Sequence, residues 1–369
     1  MKQKKLVSYF LMIAISFTLF LPSLNLYFCY KNQNINLKNF SKKQLFSTDN
    51  LESLINYSVY KTFNFSLNEP QVIIGKDNFF FLGNSFADIV DKTEGTFQYT
   101  EKQIDSWTTK LKKLQEWYEK RGVKFIIAIA SNKHTVYHDK LPDTINYKVG
   151  ETVTDAIVQS SLHKNINILN LQGILEEKKE DKQLYFYTDT HWNNYGALIG
   201  YLATMEYLNI RDNKHYELPK YKIIKKRSQG GGDLTNLLKI NHLLSTHYEE
   251  DYSLSFLMNN DICYGTFTKN NKLKKCSLGI KNKFNQYMIN ENALNKEKLL
   301  YLCDSFGLEN SQLYVHTFYT VWRFHLGYMN GSILDDFVEE YKPDIVIYQV
   351  VERDLGNNSI IDDIPLSSK

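Results

Sequence analysis

Cysteine is scarce in this chain of 369 residues, which contains only four. None of them forms a C-x-x-C pair or a Cys/His cluster with zinc-like spacing, and the nine histidines are scattered. We therefore expect neither a structural metal nor a metal-centred reaction, and no cofactor motif is evident. Cys263 and Cys276 are close enough in sequence to close a short disulfide loop outside the cytoplasm, and the sequence leaves this pairing open.

An excess of charge of one sign is also missing. The formal net charge is +3, and no basic stripe with interleaved aromatic residues is present. This argues against a nucleic-acid partner. The chain has no internal repeat, and its 43% hydrophobic content is sufficient for a real core in one large domain or two modest ones.

A long apolar run is present at the N-terminus. Three lysines, Lys2, Lys4 and Lys5, precede an apolar segment from Leu6 to Phe28. Its length matches a hydrocarbon core of about 30 Å and exceeds the usual core of a cleaved signal peptide. Because no small-residue cleavage site follows, residues 1–31 are predicted to be a cytoplasmic tip and an uncleaved transmembrane signal anchor rather than a removed leader. The rest of the chain would then face outward.

The remaining chain divides into a polar tether or loose cap at residues 32–68 and a domain at residues 69–369. Within the domain, helix and strand signals alternate. The patterns predict a β-hairpin at 71–84, helices at 101–121, 195–208 and 333–341, and strands at 123–130, 166–171, 299–306 and 345–351. This alternation favours an α/β three-layer sandwich with a mostly parallel central sheet. The polar stretch 219–298 lacks periodicity, and we predict that it leaves the sheet.

Ser305 follows the apolar strand LLYLC, where active sites of open α/β sheets collect. A tight turn at this point could project its hydroxyl beyond the sheet and leave nearby backbone N–H groups free to face an oxyanion. The pentapeptide alone also fits a serine that merely ends a strand or caps a helix.

Asp189 and His191 are separated by one residue ahead of a predicted helix. This spacing lets a carboxylate orient an imidazole, which could then deprotonate a serine hydroxyl. The alternative makes Asp189 a turn or helix-start residue and His191 a solvated neighbour.

The run TDTHWNNYGA resembles the D-T-H-W-x-x-x-G-A signature of the SGNH-hydrolase-like domain in alginate-type polysaccharide O-acetyltransferases, the AlgX/AlgJ-like group. Further stretches resemble that family in the same order, and together the similarity covers roughly residues 71 to 355. They are GKDNFFFLGN, SNKHTVYHDKLP, GGGDLTNLL, LCDSFG and PDIVIYQVVERDL.

The resemblance implies a permuted SGNH-hydrolase-like fold and assigns roles to residues. Ser305 would be the nucleophile, His191 the general base and acid, and Asp189 the residue that orients His191. Phe306 and Gly307 would support the oxyanion site. Trp192 fits either a core anchor for its loop or a platform that faces a sugar.

Several neighbouring positions carry weaker expectations. Glu352 and Arg353 follow the last strand and could form a buried pair that braces the site, or alternatively contact the substrate. Lys133 and Asp233 have no defined role. Cys303 stands where the family usually has glycine, and Asn78 stands at a hairpin position where glycine is common.

The resemblance therefore predicts an O-acetyltransferase that moves an acetyl group through an acyl-serine onto hydroxyls of an extracytoplasmic polysaccharide. A multipass membrane O-acyltransferase would supply the acetyl group, and the domain would be periplasmic or at the cell surface. One alternative is a carbohydrate acetylesterase of the same fold. A second is an inactive glycan-binding or assembly component, for which the Cys303 substitution is the best support.

Overall fold

The computed structural model describes residues 2–31, 41–229, 231–244, 248–257, 261–267, 276–278, 284–329 and 331–356. Within these ranges the strands are β1 (Val72–Ile74), β2 (Phe80–Leu82), β3 (Lys124–Ala130), β4 (Ile168–Asn170), β5 (Tyr221–Gln229), β6 (Tyr248–Phe256), β7 (Cys263–Thr266), β8 (Ser277–Leu278), β9 (Gln286–Ile289), β10 (Asn295–Cys303), β11 (Phe318–His325) and β12 (Ile345–Val351). The α-helices are α1 (Lys2–Lys31), α2 (Lys42–Leu45), α3 (Asp49–Phe63), α4 (Ile89–Thr93), α5 (Glu101–Glu119), α6 (Lys133–Val136), α7 (Val153–His163), α8 (Gln172–Lys178), α9 (Asn194–Asp212), α10 (Asp233–Leu237), α11 (Gly307–Thr317) and α12 (Gly331–Tyr341).

The central sheet has eight strands in the order β4-β3-β12-β10-β11-β9-β7-β8. The first five are parallel to one another, and β9, β7 and β8 extend the sheet as antiparallel edge strands. The prediction of a mostly parallel sheet is confirmed. The prediction that residues 219–298 leave the sheet is wrong for β7, β8, β9 and the start of β10. These edge strands are mostly short and lack apolar alternation, so they leave little signal in the sequence.

The parallel strands are covered on both faces. In β10, Leu299, Tyr301 and Cys303 join one buried cluster, while Leu300 and Leu302 join the other. The first cluster includes side chains of α9 and α11, and the second includes those of α5, α7 and α12. This is the predicted three-layer sandwich, in which continuous apolar strands lie between two layers of helices.

Local sequence signals determine where the helices begin. Thr100 caps α5 in a capping box with Gln103, and the helix buries residues at three- and four-residue steps as predicted. Asn193 caps α9, because its side chain accepts hydrogen bonds from the N–H groups of Tyr195 and Gly196. The aromatic run before His191 is therefore followed directly by a helix start.

Two antiparallel hairpins lie outside the central sheet. β1 pairs with β2 as predicted, and the turn between them holds Asp77 and Asn78 at positive φ of 52° and 64°. Asp and Asn tolerate this left-handed conformation, so Asn78 serves where glycine is common. The longer hairpin, β5 with β6, brings the start of β6 against residues 187–188.

Among the described residues one helix, Lys5–Lys31, is long and apolar enough to cross a membrane. The expected tether of residues 32–68 lies outside the described residues at 32–40 but is largely helical beyond them. α3 packs on the domain through hydrogen bonds from the Ser53 hydroxyl to the Lys239 carbonyl and from Asn56 to the Leu238 carbonyl. Tyr60 of α3 is also buried, in a cluster with apolar residues of β1, β2 and α10, and the polar composition of the segment concealed this packing.

Candidate active site

Ser305 lies in the turn that joins β10 to α11, at the carboxyl edge of the sheet. The buried carboxylate of Asp304 shapes this turn by accepting hydrogen bonds from the N–H groups of Phe306 (2.9 Å) and Val351. Val351 ends β12, the neighbouring parallel strand, so Asp304 ties the two strand ends together. Ser305 itself is only partly buried.

His191 joins Ser305 to Asp189 through a continuous line of hydrogen bonds. Ser305 Oγ is 2.7 Å from His191 Nε2, and His191 Nδ1 is 2.7 Å from Asp189 Oδ1. Since an ionised carboxylate only accepts hydrogen bonds, Nδ1 carries the proton and Nε2 accepts from the serine hydroxyl. The fold therefore brings Ser305 to the predicted pair of Asp189 and His191, although Ser305 lies 114 residues after His191.

The charge of Asp189 is well stabilised. Burial alone would raise the pKa of its carboxyl, but the hydrogen bonds and charge of His191 and two backbone N–H groups lower it to about 2. One of these N–H groups belongs to His191 and the other to Asp233, at 3.0 Å each. Asp189 is therefore ionised over the physiological pH range and can orient the imidazole.

The loop that carries Asp189 is held by two buried charged side chains. Lys133 Nζ donates to the carbonyl oxygens of Phe80, Tyr187 and Asp189 at 2.7 to 2.9 Å. Glu249 of β6 accepts from the N–H groups of Tyr187 and Thr188 and from the Thr188 hydroxyl. Burial lowers the pKa of Lys133 to about 8, against the raising effect of nearby carboxylates led by Glu249.

Sequence reasoning missed Glu249 entirely and gave Lys133 no role. Glu249 lies in the polar, aperiodic stretch, where one acidic residue among several carries no signal. Lys133 does carry a sequence signal, because it lies three residues after a buried strand, at the edge where the site forms.

Asp233 begins α10 beside this loop. Its carboxylate accepts from the N–H of Thr190 at 2.8 Å and from the Thr190 hydroxyl at 2.5 Å. The potential ligand atoms of Asp189, His191 and Asp233 lie within 4.8 Å of one another. Each of these side chains already takes part in hydrogen bonds within the site, and we derive no metal chemistry from the group.

Trp192 is buried, with 1% of its surface exposed, and its Nε1 donates to the Phe306 carbonyl at 2.9 Å. It therefore anchors the His191 loop to the Ser305 turn and does not face a sugar. Phe306 is also buried, and its ring contacts those of Trp192 and His191.

The expected oxyanion role of Phe306 and Gly307 is not supported by their hydrogen bonds. The N–H of Phe306 donates to the Asp304 side chain, and the N–H of Gly307 donates to the Asp304 carbonyl at 3.1 Å. Gly307 has a steric role instead, because a Cβ there would lie 2.4 Å from Cys303 Cβ. The buried Cys303 side chain fills the space that Gly307 leaves, below the turn.

Glu352 and Arg353, expected as a buried pair that braces the site, contact other residues and not each other. They are adjacent in a short 3-10 turn, and their side chains have different partners. Glu352 accepts from the N–H of Asn132 at 2.7 Å and from the Thr135 hydroxyl at 2.6 Å. The Arg353 guanidinium lies 5.5 Å from the centre of the Phe306 ring and donates to Asn132 Oδ1 at 3.4 Å.

A three-layer α/β sandwich with this serine turn, and with Asp and His preceding the serine in sequence, is an SGNH hydrolase-like domain. Residues 72–255 match the family described as "SGNH hydrolase-like domain, acetyltransferase AlgX". The chain belongs to the AlgX/AlgJ-like family of these domains.

The similar proteins include the "Probable alginate O-acetylase AlgJ" of Pseudomonas aeruginosa, 26% identical over 201 residues, which are 53% of this chain and 46% of that protein. The chain thus spans about half the length of this relative. The structure of Bacillus cereus PatB1 superposes with a TM-score of 0.58 at 16% identity, covering 78% of this chain and 98% of that one. The O-acetyltransferase domain of Pseudomonas putida AlgJ gives 0.52 at 15% identity, covering 79% and 94%. At these identities the two structures establish the shared fold.

Proposed function

We propose that this protein is an O-acetyltransferase that acetylates hydroxyls of a polysaccharide. The observation that carries the proposal is the line of hydrogen bonds from Ser305 through His191 to Asp189, in a domain of the AlgX/AlgJ-like family. The names of the relatives, an alginate O-acetylase and an O-acetyltransferase domain, support acetyl transfer to a polysaccharide.

In the first half-reaction the Ser305 hydroxyl oxygen attacks the carbonyl carbon of the acetyl donor. Its proton passes to His191 Nε2, which is 2.7 Å from Oγ, while Asp189 stabilises the imidazolium that forms. His191 then gives this proton to the leaving group as the bond between the acetyl carbon and the donor breaks. The product is an acetyl ester on Ser305.

The negative charge that develops on the carbonyl oxygen needs hydrogen-bond donors. The Ser305 N–H, unlike those of Phe306 and Gly307, has no hydrogen-bond acceptor among the described residues. Asn132 offers a second donor at the end of β3. Its Oδ1 accepts from Arg353 at 3.4 Å, and we assign the oxyanion to the Ser305 N–H and the Asn132 Nδ2.

In the second half-reaction His191 takes a proton from a sugar hydroxyl, which attacks the acetyl carbon. Ser305 leaves and recovers the proton from His191, so the enzyme is restored and the sugar carries the acetyl ester. The apolar helix α1 supports a membrane anchor with the domain outside the cytoplasm. Cytoplasmic acetyl-CoA does not reach that side, so a multipass membrane O-acyltransferase would supply the acetyl group.

The environment of Cys303 argues against the alternative of an inactive glycan-binding or assembly component. Its thiol is buried beside Gly307 and leaves the partly exposed Ser305 accessible. Hydrolysis and transfer use the same residues, because water and a sugar hydroxyl are activated alike.

The test uses the full chain in detergent with a chromogenic acetyl ester, with and without an oligosaccharide acceptor. We expect ester turnover, an acetyl adduct on Ser305 by mass spectrometry and acetylated oligosaccharide. Ser305→Ala should lose at least about a thousandfold in turnover. Ser58→Ala, at an exposed serine on α3, is the control and should match the wild type. Normal turnover by Ser305→Ala would exclude the mechanism, and ester turnover that never yields acetylated sugar would identify an esterase.

A further inference from the structure

The segment 231–234 runs alongside the loop that carries Asp189. The Gly232 N–H donates to the Thr188 hydroxyl at 3.1 Å, the Asp233 N–H donates to Asp189 Oδ2 at 3.0 Å, and the Leu234 N–H donates to the Thr188 carbonyl at 3.2 Å. Asp189 Oδ1 is already taken by His191. Both carboxylate oxygens of Asp189 are therefore fixed, the second of them by this segment.

Glycine is required for this close approach. A Cβ at Gly232 would lie 2.5 Å from Asp189 Cβ and 2.6 Å from the Thr188 carbonyl oxygen. Gly231 has a φ of +113°, a backbone conformation that residues with a side chain rarely adopt. The glycine-rich motif thus brings the first residue of α10 against the carboxylate that orients His191.

The Asp233 side chain adds a second carboxylate beside the imidazole. Its Oδ2 lies 3.8 Å from His191 Nδ1, and both of its oxygens accept from Thr190, the residue between Asp189 and His191. Burial, reinforced by the charge of Asp189, raises the pKa of Asp233. The Asp233 side chain is 40% exposed, so water screens part of its charge.

Several other groups face His191. Asp189 contacts Nδ1, Ser305 contacts Nε2, and Glu309 of α11 interacts with the ring through its charge. Two cations are near. Lys133 donates to the Asp189 carbonyl, and Arg353 lies against the Phe306 ring that His191 also contacts. The two carboxylates nearest to Nδ1 are those of Asp189 and Asp233.

We propose that Asp233 is a positioning residue for the acyl-transfer reaction, with two effects on His191. Its backbone N–H and its bonds to Thr190 fix the Asp189–His191 turn, and its negative charge favours the imidazolium that forms when Ser305 loses its proton. This inference rests on the proposed function, because it concerns the step in which His191 acts as a base.

The charge can be removed while most of the geometry is kept. In Asp233→Asn the side-chain oxygen still accepts from the Thr190 N–H, and the new NH₂ group meets the Thr190 hydroxyl, which can rotate to accept. The backbone N–H to Asp189 is unchanged. Asp233→Ala removes the charge and both bonds to Thr190.

The experiment measures the rate of acyl-enzyme formation by the full chain with the chromogenic ester across about pH 5 to 9. For Asp233→Asn we expect the acidic limb of the pH–rate profile to shift to lower pH by about half to one unit, because the imidazolium of His191 is less favoured. The plateau rate should fall about tenfold, and further in Asp233→Ala. Asp344→Asn, at the opposite end of β12, is the matched control. Its plateau rate and the pH of its acidic limb should equal those of the wild type.

The outcomes separate this inference from the proposed function. A wild-type protein without ester turnover counts against both. Turnover that disappears in Ser305→Ala, combined with an unmoved acidic limb in Asp233→Asn, overturns the role of Asp233 alone, even if the plateau falls. Thermal unfolding of each variant is followed in parallel, and a moved limb in an Asp233→Asn protein that unfolds at the wild-type temperature supports the proposal.

Discussion

Lys133 is a buried cation whose hydrogen bonds all go to backbone carbonyls. Three carbonyl oxygens, from the β1–β2 hairpin and from the Asp189 loop, accept from its Nζ. Because burial lowers the pKa of Lys133 to about 8, below its ordinary value of 10.5, the charged form costs stability in the folded protein. This cost disappears as the pH rises from about 8 through the ordinary value, so the contribution of Lys133 to stability increases over that window.

We expect Lys133→Met to lower the free energy of unfolding by about 3 kcal/mol, because three buried carbonyl oxygens lose their donor. Ester turnover should fall as well, since the Asp189 loop loses its support. Lys140→Met is the control, because Lys140 makes ion pairs with Asp77 and Asp139 near the surface. Urea unfolding measures both variants, and equal effects of the two substitutions would show that the buried contacts contribute little.

Asp304 makes a second pH-dependent contribution to stability. In contrast to that of Lys133, it decreases as the pH rises. Burial raises the pKa of its carboxyl to about 6, against the lowering effect of the N–H of Val351 and of Arg353. The folded-state pKa lies above the ordinary value, so the contribution of Asp304 to stability is fully present below about pH 4 and is lost as the pH rises through about 6.

Asp304→Asn should remove this dependence. We expect the unfolding temperature of the variant to vary less between about pH 4 and pH 6 than that of the wild type. Turnover should also fall, because an Asn NH₂ group would face one of the two N–H donors that the carboxylate satisfies at the Ser305 turn. Identical slopes of unfolding temperature against pH in the two proteins would contradict the assignment.

At the scale of elements, the packing of α10 against the Asp189 loop leads to a prediction about Gly232. In Gly232→Ala the new Cβ would lie 2.5 Å from Asp189 Cβ and 2.6 Å from the Thr188 carbonyl oxygen. Helix α10 must therefore move away from the Asp189 loop. We expect at least a tenfold loss of turnover, of the order that follows when a positioned group is displaced. Gly173→Ala in α8 has no atom within 4 Å of the new Cβ and should instead stabilise the protein by about 0.5 to 1 kcal/mol. A Gly232→Ala protein with wild-type turnover would contradict the close-packing argument.

The elements that the sequence predicted well are those with strong internal periodicity. The core strands β3, β10 and β12 and the helices α5 and α9 lie where continuous apolar runs or three- and four-residue steps placed them. The antiparallel edge β9-β7-β8 was missed because pairing with β11, and not local composition, defines it. Asp189 and His191 were predicted from a local motif. The contact of His191 with Ser305 depends on the central sheet, because the end of β10 positions Ser305. Glu249 could not be found, because tertiary contacts alone give it its role.

At the scale of the whole molecule, the end of α1 is docked onto the domain. Asn25 donates to the carbonyls of Leu45 and Ser47 at 2.7 and 2.9 Å and accepts from Asn50, while the Phe28 ring contacts His242. His242 follows α10 closely in sequence, and α10 carries Asp233. Helix α1 therefore contacts a residue that lies five positions after the end of α10.

If α1 crosses the bilayer, the segment from Leu6 to Asn25 covers about 30 Å, the thickness of the hydrocarbon core. Asn25 then lies at the outer interface, and α2 and α3 lie at the membrane surface. We expect a narrow distribution of distances between a spin label at exposed Glu116 and labelled lipid headgroups in vesicles, because the docked helix prevents the domain from swinging. The double variant Asn25→Ala, Phe28→Ala should broaden it, because it removes these contacts between α1 and the rest of the protein. Leu26→Ala, at an exposed position of the same helix, should leave it narrow. A broad distribution in the wild type would mean that the contacts of Asn25 and Phe28 do not hold the domain, and that the active site faces the membrane in no fixed orientation.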